Sequence, residues 1–75
     1  MEEHDFGWAL KMLKAGKRLT RSGWNGKGMY LELQVPDENS KMGLPYIYMS
    51  TVEKKFVPWL ASQTDMLADN WEIVE

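Results

Sequence analysis

A chain of 75 residues holds one small domain, whose core by itself typically supplies no more than roughly 3–5 kcal/mol. The absence of cysteine excludes disulfides and thiolate metal sites, which leaves idealised packing and self-association as further support. A formal net charge of −2 excludes the broad basic face that general DNA or RNA binding requires, and no apolar run approaches the roughly 18 residues of a membrane span.

The acidic start Met1-Glu2-Glu3 is unlike a signal peptide, so a protein made and used in the cytoplasm is expected. Asp5 reads as an N-cap, followed by Phe6, Ala9, Leu10 and Leu13 at the spacing of an amphipathic helix, with Trp8 and Met12 beside that stripe. Gly16 closes the helix, while Lys14 and Lys17 complement its dipole, which predicts a helix over residues 6–15. Core packing against a sheet is the plain role for Phe6 and Trp8. Residues 17–21 alternate around Leu19 and predict a short strand. Residues 29–35 predict a second, with Met29, Leu31, Leu33 and Val35 on one face and Tyr30, Glu32 and Gln34 on the other.

Between those strands lies Arg21-Ser22-Gly23-Trp24-Asn25-Gly26-Lys27-Gly28, around which the chain is organised. Its three glycines are expected to supply positive φ. Asn25-Gly26 is a strong hairpin signal and explains the whole stretch as a tight turn with Trp24 packed on its own hairpin. A plain turn, however, needs neither Trp24 nor Lys27. Residues 36–45 carry the loop signature, with Asp37, Asn39, Ser40 and Gly43 between two prolines. Residues 46–49 and 56–59 predict a second hairpin turning within 50–55, in which Pro58 ends an arm or marks an edge. Ser62-Gln63-Thr64-Asp65 resembles a capping box, shortened by its Asp, that opens a short helix through Ala68. A final strand over residues 71–74 places Trp71 and Ile73 on one face. The order predicts an α+β fold, with an N-terminal helix packed on a small, mainly antiparallel sheet and a short second helix before the last strand.

Enzyme chemistry is poorly provided for. The only histidine, His4, falls in a stretch expected to fray. Asp65 and Asp69, four apart, suit acid–base work or a divalent cation, with capping and solvation as their plain roles. The glycine stretch lacks the Walker pattern. A binding site is easier to assemble. Four tryptophans, three tyrosines and six methionines exceed what one small core covers, so some belong to an interface or pocket. Trp24, Trp59 and Phe6 offer rings for stacking, Asn25, Gln63, Thr64 and Asp65 offer polar groups, and Lys27 with Arg21 offers charge for phosphate.

The exit Lys14-Ala15-Gly16-Lys17 of the first helix, the segment Arg21-Ser22-Gly23-Trp24-Asn25-Gly26-Lys27-Gly28-Met29, and the segment from Phe56-Val57-Pro58-Trp59 to Asp69-Asn70-Trp71 resemble the second type of Thoeris anti-defence protein, a family of small phage and prophage proteins. The resemblance spans nearly the whole chain and is weakest over residues 36–50, which differ from the longer loop of relatives. It implies a sponge that binds the cyclised ADP-ribose signal of bacterial Thoeris immunity, glycocyclic ADP-ribose, and holds it uncleaved, with cyclic dinucleotides as a further ligand class in a separate site. It also implies a homotetramer with sites between protomers and no cofactor. Carried onto this chain, the ligand contacts fall to Trp24, Asn25, Gly26, Lys27, Trp59, Gln63, Thr64 and Asp65, with Phe6 beside them. Two other readings stand next to the sponge: a module in which Trp24 and Trp59 anchor a host protein, and an enzyme that cleaves the signal slowly through Asp65 or Asp69.

Overall fold

Asp5 begins the first helix as expected. Its backbone is extended, its side chain accepts the N–H of Trp8 at 2.8 Å, and α1 follows as Phe6–Lys14. Gly16, at φ +89°, turns the chain out of the helix. In this computed structural model, which describes residues 4–24 and 28–74, five strands follow: β1 (Arg18–Arg21), β2 (Tyr30–Gln34), β3 (Tyr46–Ser50), β4 (Phe56–Pro58) and, after the short helix α2 (Gln63–Met66), β5 (Trp71–Val74).

All neighbouring strands pair antiparallel in the order β4-β3-β2-β1-β5, so the α+β expectation holds. The last strand returns to the far side of β1. This brings residues 71–74 beside residues 18–21 and delivers α2 to the same end of the sheet as the connection that leaves β1. β4 carries Pro58 and lies at the edge of the sheet, where a missing N–H is tolerated.

Leu19, Leu31, Met49 and Val57 share one row across the sheet with Ile73. α1 packs on the β2-β1-β5 part of this face. Ala9 and Leu13 of the helix close against Leu19, Leu31 and Trp71, and these five are the buried apolar core among the described residues. Burying each large side chain contributes about 1.5–3 kcal/mol. The row explains why the outer apolar residues fare differently from the expectation. Ile73 is 37 % exposed on the edge strand, and Val35, 66 % exposed, lies past the end of β2.

Three further expectations change. The strands of the first hairpin end at Arg21 and resume at Tyr30, so their connection, residues 22–29, is longer than a two-residue turn. The Asn25-Gly26 signal lies outside the described residues. Of the flanking glycines, Gly28 adopts φ +78° but Gly23 does not take positive φ, because the chain at Gly23 still follows β5: the N–H of Ser22 donates to the carbonyl of Asn70 at 3.2 Å. His4 is held rather than frayed. Its Nδ1 donates to the Trp71 carbonyl at 2.9 Å, its own carbonyl accepts from Trp71 N–H at 3.1 Å, and its ring stacks on Trp8 at 3.9 Å. The loop over residues 36–45 contains a small turn in which Asp37 Oδ1 accepts from Asn39 N–H at 2.9 Å. No helix among the described residues is long and apolar enough to cross a membrane.

Candidate functional site

Trp71 is fully buried, and three other aromatic residues converge on it from separate parts of the chain. Phe6, in the first turn of α1, lies 5.8 Å away between ring centres. Trp24, after β1, meets it edge-on at 5.6 Å, and Trp59, after β4, does so at 6.1 Å. Phe6 and Trp59 are themselves 6.1 Å apart. Each has a local reason to be there. The capped start of α1 fixes Phe6. Trp24 N–H donates to the Arg21 carbonyl at 3.1 Å in a turn, and Trp59 N–H donates to the Ile47 carbonyl at 3.1 Å, continuing the β4 pairing beyond Pro58. Phe6, Trp24 and Trp59 are half-buried, so each backs onto the core while keeping exposed ring surface. Edge-to-face geometry of this kind adds about 0.5–1.5 kcal/mol per pair.

An ion pair crosses beside these rings. Arg21 Nη1 donates to Asp65 Oδ1 at 2.8 Å, with the two side chains only 15 % and 14 % exposed. The guanidinium carbon lies 5.9 Å from the Trp71 ring centre. Asp65 is placed by a complete capping box: Ser62 Oγ accepts from Asp65 N–H at 3.1 Å, and Asp65 Oδ2 accepts from Ser62 N–H at 3.3 Å and from Ser62 Oγ at 2.9 Å. The shorter Asp thus completes the motif. Burial pushes the Asp65 carboxyl up, but hydrogen bonds from Arg21, Ser62 and Trp24 outweigh it and hold the group below its ordinary 3.8. Trp71 adds a bond from its indole Nε1 to the Asp65 carbonyl at 3.2 Å.

The structure therefore brings Phe6, Arg21, Trp24, Trp59 and Asp65 into one cluster. Gln63 and Thr64 lie in the exposed first turn of α2 beside it. Asn25, Gly26 and Lys27 lie outside the described residues, although both ends of their segment, Trp24 and Gly28, are described. Arg21 is already matched by a carboxylate, so it is a shared cation rather than an unopposed one. Sequence reasoning missed Trp71 and Asn70 as members. The only signal available was that both close the second motif, directly after the α2 segment. Together the groups present ring faces for stacking and a planar cation whose Nη2 donors are unbonded among the described residues. Among the described residues, no group of three or more His, Asp or Glu side chains is placed to hold a metal ion.

Trp59 also borders a cleft of about 480 Å³ between α1 and the sheet, lined by Leu10, Leu13, Leu33, Tyr46 and Ile47 among others. The other sheet face carries a separate polar group. Arg18 pairs with Glu32 at 3.6 Å and lies 4.8 Å over the Tyr30 ring, and the Tyr48 hydroxyl donates to Glu32. Burial, with Glu32 beside it, pushes the Tyr48 hydroxyl up to about 12.

Comparison with known proteins gives two matches. Residues 4–74 match the family model described as the Thoeris anti-defense 2-like domain. A protein of Bacillus phage SP01 named "Thoeris anti-defense 2" is 40% identical over 82 residues, covering 92% of each chain.

Proposed function

The chain belongs to the Thoeris anti-defense 2-like family, and from that premise we propose that it acts against Thoeris immunity by sequestering the cyclic signal. It binds the cyclic ADP-ribose-type signal, glycocyclic ADP-ribose, and holds it without cleaving it, in the cytoplasm of the infected host. The family supports the phage anti-defence role against Thoeris. The observation that carries the mechanism is the convergence of Phe6, Trp24 and Trp59 on Trp71 beside the Arg21–Asp65 pair.

A cyclised ADP-ribose joins ring systems to a diphosphate. Ring faces supply stacking worth about 1–3 kcal/mol per base, and the guanidinium supplies charge-assisted bonds to phosphate oxygens. Gln63, Thr64, Asn25, Gly26 and Lys27 complete the proposed contacts around this centre. A bound Asp65 carboxylate that is already engaged by Arg21 and Ser62 is a positioned acceptor for ribose hydroxyls rather than a free base. Assembly into a homo-oligomer, with a tetramer as the expected form, is part of the same proposal. It is supported by Leu60 and Leu67, which are 91 % and 82 % exposed on either side of α2. Cyclic dinucleotides are the second ligand class to test.

Isothermal titration with glycocyclic ADP-ribose tests the reading. Saturable binding is expected, and ligand recovered after denaturing the protein should be chemically unchanged. Trp24→Ala should weaken that binding at least about tenfold and leave the sheet folded, at a stability cost above the about 0.5–1.5 kcal/mol of its aromatic pair because half-buried ring surface is lost as well. Absence of binding by the unmodified protein refutes sequestration, and time-dependent product points to cleavage instead.

A further inference from the structure

Asn70, the residue before β5, reaches two separate parts of the chain, the exit of β1 and the residue before Asp5. Its side-chain Oδ1 accepts from Arg21 Nε at 3.0 Å. Its backbone carbonyl accepts from Ser22 N–H at 3.2 Å, where the chain leaves β1. It forms an isolated parallel bridge with His4, and its Nδ2 lies 3.4 Å from the place a Cβ on Gly23 would take.

We infer that Asn70 is a positioning residue that sets the guanidinium of Arg21 for an anionic ligand; this rests on the proposed ligand site. A guanidinium is a planar fork of N–H donors. Here two different sides of the fork are anchored: the neutral amide of Asn70 takes Nε–H, and the carboxylate of Asp65 takes an Nη1 proton. The plane of the fork is fixed by these two anchors, and among the described residues its remaining donors take no further hydrogen bond. The choice of an amide matters as much as its position. A carboxylate at this place would set a second negative charge on Arg21, so that the cation would be over-matched before any phosphate arrived. A side chain with no acceptor would leave Nε–H unbonded and free the fork to turn about its Asp65 contact. The Ser22 bond uses only the backbone carbonyl, so the loop anchor survives a side-chain replacement and can be separated from the effect on Arg21.

Two variants of the full chain test this, Asn70→Asp and Asn70→Ala, with glycocyclic ADP-ribose as the probe and the NMR signal of the Arg21 Nε–H as a readout that needs no ligand. In Asn70→Asp, nearly isosteric, the Nε–H should remain protected and thermal stability should be equal or higher, yet affinity should fall about tenfold. That opposite movement of stability and affinity is not what a merely structural asparagine gives. In Asn70→Ala the Nε–H should lose its protection and shift. Wild-type affinity in Asn70→Asp, or an unchanged Nε–H in Asn70→Ala, overturns the inference. Failure of the unmodified protein to bind the probe refutes the ligand reading, while the Nε–H signal still decides whether Asn70 holds Arg21.

Discussion

Asp65 shows how one carboxylate is shared by a helix cap and an ion pair. Its proton affinity is lower in the fold than in the unfolded chain, so the unfolded state binds the proton more readily. Its stabilising contribution is therefore complete above its ordinary 3.8 and is lost as pH falls through the lower folded value. Asp65→Asn should remove part of the acid-side loss of stability, measured by thermal unfolding between pH 2 and 5. Tyr48 gives the opposite sign. Its folded value of about 12 exceeds the ordinary 10.0, so its contribution is complete below 10 and is lost as pH rises towards 12. Tyr48→Phe should flatten the alkaline limb of the stability curve over that window. The Ser62–Asp65 box was legible because both partners lie within one helical turn. The Arg21–Asp65 pair was not, since the two are 44 residues apart and only the placement of β5 next to β1 brings them together. The same distance hid Trp71, whose position in a short final strand says nothing about which rings will gather on it.

At the scale of elements, the two hairpins and both helices could be read from periodicity, caps and turn residues, each of which is a local property. What periodicity could not supply was the length of the β1–β2 connection. Asn25-Gly26 signals a turn, but the strands stop at Arg21 and Tyr30, and the residues between them are those that carry Trp24 to the cluster. Glycine has different work at the two described ends of that connection. Gly28→Ala should cost about 1–2 kcal/mol, because φ +78° is a left-handed conformation that a Cβ resists. Gly23→Ala should cost less, with only a 3.4 Å approach to Asn70 Nδ2 to accommodate. Chemical denaturation of the two variants measures the difference, and a Gly23→Ala variant less stable than Gly28→Ala would contradict this assignment. The turn of the other hairpin makes the same demand of a different residue, since Lys54 takes φ 63° between Thr51 and Lys55.

For the whole molecule, the helix covers only part of the sheet. α1 packs on β1, β2 and β5, which leaves part of the same face to the cleft bordered by Ile47 and Trp59 and leaves Val57, at the far end of the core row, 40 % exposed. This is why the surplus of apolar residues could be counted from the composition while their location could not: it depends on where a single helix comes to rest on a five-stranded sheet. If this surface is shared between copies, the thermal midpoint should rise with protein concentration, and sedimentation equilibrium should give a mass above the 8.7 kDa of one chain. A concentration-independent midpoint together with the monomer mass would exclude assembly.

The grouping of the tryptophans has an optical consequence. Trp24 and Trp59 lie 5.6 and 6.1 Å from Trp71, close enough for excitation to pass among the three indoles, while Trp8 is stacked face to face on His4. The ultraviolet emission of the folded protein is thus expected to be that of coupled indoles rather than independent ones. A nucleobase laid on either exposed ring would darken the whole coupled group at once.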